Sequence, residues 1–329
     1  MIFGKATHLI AFPLRLREGI FVDHKEGSMK VRKVLPAILS TVAFFIAAPS
    51  HAFNQPPMNL GLTDILDGAL PGPGTYFTEY IQIYQSDEFK DQDGNDINGA
   101  PRVGSLLVMN QFVHVYPHKV LGGNLGADVL LPIVSISANN TPVNPGVLGD
   151  LTVGPFLQWF DTKLLGRPFF QRVELDFSLP TGQYDNKYVL NPGSNLWVIE
   201  PYYAFTWFLT PELSTSWRLH YTYSTENDDA FGGGSVQPGQ AFHFNYSFEY
   251  AFTKNFRAAL AGYYLKQLTE DEIDGNEGID TKEQVFGWGP AVHWIVTPNF
   301  SMGLKTAFET GTENRPEGSR TTFRWTYKF

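Results

Sequence analysis

The residues able to do chemistry recur at every second position. Arg218 and His220 alternate with Trp217, Leu219 and Tyr221. His243 and Glu249 alternate with Phe242, Phe244, Phe248 and Tyr250. Arg324 and Lys328 alternate with Phe323, Trp325, Tyr327 and Phe329. In an extended strand successive side chains point to opposite faces, so one face is aromatic and the other polar and ionisable. The same parity collects Asp128, Arg172, Glu174, Asp176, Glu200, Arg257, Lys305 and Glu309 on polar faces. The two histidines apart, the set is balanced, with six basic and six acidic members. Balanced charge facing a narrow aqueous space would reject ions of either sign and pass small neutral solutes. The same groups could instead salt-bridge into a filling that closes the space. A pore tuned to anions would carry one sign.

The elements that must position these residues are long. Period-2 alternation marks twelve strands, near 74–85, 102–115, 123–136, 149–160, 168–179, 194–207, 212–225, 240–252, 256–268, 283–296, 300–310 and 319–329. At 11–14 residues they exceed the usual globular length of about 5–6. Tilted, they match the roughly 25 Å apolar band of an outer membrane. Short connections (116–122, 161–167, 208–211, 253–255, 297–299) alternate with longer ones (86–101, 137–148, 180–193, 226–239, 269–282, 311–318), the pattern of periplasmic turns and outer loops. The expected fold is all-β: a transmembrane antiparallel up-and-down β-barrel of about 12 strands over 74–329. Both termini are then periplasmic and the acidic long loops lie outside. A lysine or arginine on the lipid face costs about 2–4 kcal/mol at the midplane, which forces the charged faces inward. Glu174, Asp176, Glu200, Arg218, His220, His243, Glu249, Lys305 and Arg324 are therefore the expected pore lining.

Composition agrees. The 329 residues include 27 Phe, 15 Tyr and 7 Trp, with no cysteine and a net charge of −9. The absence of cysteine excludes disulfides, thiol nucleophiles and cysteine-held zinc. The acidic balance argues against nucleic acid as a partner. Residues 34–49 are the one long apolar run, preceded by Lys30, Arg32 and Lys33 and followed by Ser50-His51-Ala52. This is the order of a secretory signal peptide, at 16 residues too short and too proline-bearing for a membrane helix. Residues 29–52 are read as that signal, cleaved between Ala52 and Phe53, and residues 1–28 as a non-native extension. Residues 53–73 are not strand-like. Leu60, Leu62, Ile65, Leu66 and Leu70 fit one face of a short helix, stopped by Pro71-Gly72-Pro73-Gly74, that sits at the periplasmic mouth or inside the lumen.

Four segments, Gly61–Phe77 (GLTDILDGALPGPGTYF), Leu179–Asp185 (LPTGQYD), Asn191–Trp197 (NPGSNLW) and Glu200–Trp207 (EPYYAFTW), resemble the meta-pathway phenol-degradation family of outer-membrane β-barrel proteins. The resemblance spans 53–329. It implies a transporter-like channel for passive uptake of small hydrophobic or aromatic compounds. Trp325, Tyr327 and Phe329 resemble the C-terminal signal read by the barrel assembly machinery. The expected setting is the outer membrane of a Gram-negative bacterium, with membrane lipid and lipopolysaccharide as further partners. A structural or adhesion-type barrel with a closed lumen is the alternative.

An enzyme is not expected. A lipid hydrolase on the barrel wall would show a His-x-Ser signature, and none of the eight histidines is followed by x-Ser. His114 and His118 flank Pro117 but supply two ligands, too few for zinc. Asp91-x-Asp93-x-Asn95 begins like a calcium loop, yet Asp96 and Arg102 stand where the motif needs glycine and glutamate. No cofactor and no metal are expected. Protein recovered from outer membranes should begin at Phe53; N-terminal sequencing that reads Met1 or Met29 would show that no cleavage occurs there.

Overall fold

The computed structural model describes residues 54–329. The extension 1–28, the signal 29–52 and the Ala52/Phe53 cleavage position lie outside the described residues. Fifteen strands occur among the described residues. In chain order they are β1 (Gly74–Phe89), β2 (Val103–Val120), β3 (Gly123–Ala138), β4 (Thr152–Leu164), β5 (Arg167–Ser178), β6 (Val198–Phe208), β7 (Leu213–Ser224), β8 (Val236–Gln237), β9 (Ala241–Ala251), β10 (Phe256–Gln267), β11 (Glu272–Ile273), β12 (Asn276–Glu277), β13 (Gln284–Thr297), β14 (Phe300–Glu313) and β15 (Pro316–Lys328). Twelve of them form one closed barrel in sequential order, sealed where β1 pairs antiparallel with β15, Tyr80 opposite Arg324. Closure leaves no unpaired edge, the condition for a sheet to cross a bilayer. The short β8, β11 and β12 form a small sheet that ties two long loops together.

One rim carries tight turns. Leu121-Gly122 and Leu165-Gly166 have positive φ at both residues, as two-residue hairpins require. The other rim carries the long loops. One expected loop, 311–318, is not formed. β14 and β15 run on through it, leaving Asn314 and Arg315 between them. Its glycine and proline make no break. Gly318 instead packs so closely on β1 that a Cβ would lie 2.0 Å from the Gln85 carbonyl oxygen, and Pro316 pairs with Phe89 at the strand end. The loop between β5 and β6 is pinned by Asp150, from the loop before β4. Its carboxylate accepts the Gly182 N–H at 2.8 Å and the Ser194 N–H at 2.7 Å. The LPTG and NPGSN segments thus meet at one corner of the loop rim.

Aromatic and aliphatic side chains cover the outer wall, among them Phe112, Phe248, Trp288, Trp294 and Phe308. β1 reverses the expected rule for tyrosine. Tyr76, Tyr80 and Tyr84 point inward and are buried, while Ile83 is exposed on the outer wall. A tyrosine buried in a polar interior keeps a partner for its hydroxyl, and Tyr80 donates to Gln111 while Tyr84 donates to Glu309. Some charges lie on the opposite parity, among them Glu79, which accepts a hydrogen bond from the Trp325 indole at 3.0 Å, and Lys266, which pairs with Glu313 at 3.0 Å.

The expected helix in 53–73 is also corrected. These residues run irregularly, with a single turn at 65–68 where Leu66 adopts φ 59°. The backbone donors of Gly61, Leu66 and Gly68 bond to side chains of the wall rather than to carbonyls four residues back, so the helical pattern of leucines has no helix to serve. The even strand number puts the start of β1 and Phe329 at the turn rim, where the Phe329 N–H donates to Thr75 O. Asn54, by contrast, bonds Asp271 and Glu283 at the loop rim. The chain preceding β1 therefore traverses the barrel, and residue 54 lies at the end opposite Phe329.

Closure depends on the last strand. Deleting Phe329 should lower the yield of heat-modifiable, folded barrel in outer membranes. Equal assembly of the truncated chain at low expression would count against that.

A candidate lumen occupied by the N-terminal segment

Residues 54–73 touch side chains from all round the barrel, which only the interior allows. Asn245 on β9 accepts the Gly61 N–H at 2.8 Å, and Glu249 accepts the Leu66 N–H at 3.0 Å. Thr206 on β6 accepts the Gly68 N–H at 2.9 Å, and Gln158 on β4 donates to Gly68 O at 2.9 Å. Gly68 is required by this approach, since a Cβ there would stand 2.4 Å from the Phe205 backbone carbon. Apolar anchors complete the seating. Leu60 packs on Tyr263, Leu265, Val285 and Ala307, and Ile65 on Ala261 and Ala291.

Ion pairs hold the middle. The Arg218 guanidinium donates twice to Asp67, both at 2.7 Å, and lies 4.4 Å over the Tyr202 ring. Arg324 pairs with Asp64 at 3.1 Å and donates to Ile65 O. Lys305 lies 3.6 Å from Asp64 and donates to Thr63 O at 2.9 Å. Two-pronged guanidinium–carboxylate pairs are strong where water is excluded. Of the expected lining residues, Arg218, Glu249, Lys305 and Arg324 thus meet the segment directly. Arg257 lies 3.9 Å from Glu249.

The others form two wall clusters. In the first, His220 Nδ1 lies 2.7 Å and His243 Nε2 3.3 Å from the two oxygens of Glu200, and the rings stack at 4.2 Å. In the second, Asp128, Glu174 and Asp176 converge, with Arg172 3.1 Å from Glu174 and the Tyr202 hydroxyl donating to it. Each cluster is a group of three potential metal ligands. Lys328, at the turn rim, lies 5.4 Å over the Tyr76 ring.

Sequence reasoning passed over several interior groups. Asp64 and Asp67 lie three apart in the segment, where no strand periodicity marks them. Arg320 shares the parity of Arg324. It pairs with Glu309 at 3.3 Å, and the Tyr84 and Tyr263 hydroxyls donate to the same carboxylate.

Two cavities bracket the segment. At the turn rim, Leu66, Leu70 and Pro71 face Phe160, Phe170 and Phe208 across an apolar space of about 350 Å³. At the loop rim a polar pocket of about 320 Å³ is lined by Gly239, Gln240, Thr269 and Asp271.

Residues 86–325 match the family model described as the putative MetA-pathway of phenol degradation. The chain belongs to that family. Among solved structures, the barrel is similar to the COG4313 outer membrane channel from Pseudomonas putida F1, with a TM-score of 0.71 and 20% identity over 79% of this chain and 97% of that one. A weaker likeness is to the transport unit of the autotransporter AIDA-I from Escherichia coli, with a TM-score of 0.48 and 10% identity over 79% and 91%. No curated protein matches. The fold is that of an outer-membrane barrel, and no helix of the described residues is long and apolar enough to cross a membrane.

Segment and loop rim meet at Glu283, just outside β13. Its carboxylate accepts the N–H groups of Asn54 and Gln55, both at 3.1 Å, and pairs with Arg315 at 3.1 Å. Burial pushes this carboxyl up from 4.5 to about 7, against the opposing pull of the Arg315 guanidinium. Burial also raises the neighbouring Asp271. Folded protein therefore holds these protons more tightly than unfolded chain, so stability falls as pH rises from about 4.5 through 7. For Glu283 the loss is on the order of 3 kcal/mol at roughly 1.4 kcal/mol per pH unit. Glu283→Gln, which retains an acceptor, should flatten the pH dependence of the unfolding midpoint between pH 5 and 7. Parallel wild-type and variant profiles would refute the assignment.

Proposed function

We propose that this barrel is a channel for passive uptake of small hydrophobic or aromatic compounds in which residues 54–73 act as a resident plug. The observation that carries the reading is the two-sided seating of the segment. Toward β7, β14 and β15 it is fixed by buried ion pairs through Asp64 and Asp67. At the turn rim it meets Phe160, Phe170 and Phe208 across an apolar cavity. That cavity offers an aromatic solute ring faces and no charge, as small-molecule sites commonly do. Along the plug, Arg218, Glu249, Lys305 and Arg324 are engaged by the segment itself and Glu200 by His220 and His243, so an ion meets groups that are already partnered.

Two further features support the setting. The outer wall is apolar and aromatic, as lipid contact requires. The loop rim carries many acidic residues, suited to an exterior shared with lipopolysaccharide and its divalent counterions, with the turn rim toward the periplasm. The terminal Trp325, Tyr327 and Phe329 face outward on the closing strand, where the assembly machinery would read them. A closed structural barrel would share the ion pairs but would have no use for an apolar vestibule beside the plug.

The test is conductance in planar bilayers. Gly68→Ala pushes the turn off β6, and Arg218→Gln strands the buried Asp67 carboxylate, at a cost of about 3–5 kcal/mol. Each should raise single-channel conductance severalfold while the barrel still folds. Phe170→Ala should weaken block by monoaromatic solutes without changing basal conductance. Unaltered conductance in both plug variants would remove the plug from the mechanism, and unaltered aromatic block in the third would remove the vestibule.

A further inference from the structure

We propose that Asp128, Glu174 and Asp176 form a binding site for one hard divalent cation, Ca2+ above all, set in the barrel wall beneath Gly154. The three residues come from β3 and β5, and one oxygen of each lies within 4.8 Å of the others. Asp128 Oδ1, Glu174 Oε1 and Asp176 Oδ1 are all buried, and none accepts a hydrogen bond from a donor. Polar groups buried this way are rarely left unsatisfied, and three converging carboxylate oxygens are the costliest case.

The space between them is kept open by a glycine. A Cβ on Gly154 would lie 2.2 Å from Asp176 Oδ1, 2.6 Å from Glu174 Oε1 and 3.0 Å from Asp128 Oδ1. One point in the wall is thus near metal–oxygen distance from all three orphan atoms. Any other residue at 154 would occupy it. A glycine inside a strand weakens the strand, so its presence here has a use in the space it leaves.

The remaining contacts hold the ligands rather than neutralise them. Gln111 donates to Asp128 Oδ2 at 2.6 Å, and Arg172 donates to Glu174 Oε2 at 3.1 Å. Arg172 supplies one positive charge against three carboxylates. Arg218 is committed to Asp67. Two negative charges remain, which a divalent ion balances. The donor set is oxygen alone, which selects Ca2+ or Mg2+ over zinc or copper. The spacing suits Ca2+, whose oxygen distances are about 2.3–2.6 Å, better than Mg2+ at about 2.0–2.1 Å. The Glu200–His220–His243 cluster differs, because its ring nitrogens already face the carboxylate oxygens at 2.7 and 3.3 Å and its charge can balance with protons.

The experiment uses the full, folded chain in detergent, stripped with a chelator, reloaded with Ca2+ in excess Mg2+ and desalted. Elemental analysis should find about one retained Ca2+ per chain, and the temperature of the heat-modifiability shift should rise on reloading. Gly154→Ala, which fills the space, and Asp176→Asn, which removes one charge, should each lower Ca2+ affinity at least tenfold and abolish the shift. Both leave the acidic loops intact. Absence of retained Ca2+ in the wild type overturns the proposal and leaves shared protons as what reconciles the carboxyls. Equal retention in wild type and whichever variant folds also overturns it, assigning the ion to the loops.

Discussion

The structure depends on one constraint: ionisable side chains of the strands are driven to the inside by lipid, and once inside they must find partners. A barrel of twelve strands is wider than its own side chains can fill, yet too narrow to leave every charge in bulk water. The wall meets part of the demand itself, through the Glu200–histidine cluster and the Arg320–Glu309–tyrosine group. It leaves Arg218, Lys305 and Arg324 on β7, β14 and β15 in need of counter-charge. Asp64 and Asp67 of the preceding segment supply it. The segment is thus an electrostatic component of the barrel as much as an obstruction in it. Its removal would strip three cations of their counter-charge and leave this part of the lumen strongly positive.

What could be read from the amino-acid order follows the same division. The strands and the facing of His220, His243, Glu249 and Lys305 were legible because two strong rules, strand periodicity and exclusion of charge from lipid, act on each residue locally. The same rules misjudged tyrosine, since a phenol satisfies either face: Tyr84 turned inward where its hydroxyl reaches Glu309. The path of residues 54–73 was not legible. Leu60 and Ile65 do fit one side of a helix, but each is buried against a different part of the wall. The backbone donors of Gly61, Leu66 and Gly68 find Asn245, Glu249 and Thr206, partners remote in sequence. No local pattern encodes that.

The loop rim adds a second kind of partner. A run of acidic residues in an outer loop is ordinarily a solvated surface. Asp271 and Glu283 depart from this because each accepts hydrogen bonds from the start of the segment. Their burial is the consequence of holding it. The small sheet of β8, β11 and β12 stiffens the loops from which Asp271 comes, so the anchor is built on paired backbone rather than on a free strand of loop.

The uneven seating of the segment bears on selectivity under the proposed function. A solute entering the turn-rim vestibule meets apolar surface on both sides, Leu66 and Leu70 facing Phe160, Phe170 and Phe208, and has no charge to displace there. An ion crossing the centre would have to part Asp67 from Arg218, or Asp64 from Arg324 and Lys305, and leave buried charges unpaired. Breaking one such buried pair costs about 3–5 kcal/mol, whereas exchanging one apolar contact for another is nearly neutral. A small shift of residues 69–72 away from β4, β5 and β6, with the ion pairs still closed, therefore widens the path for a neutral ring before it widens it for a charge. Discrimination of this kind needs no binding site specific to one compound. It needs a plug whose charged face is held more firmly than its apolar one.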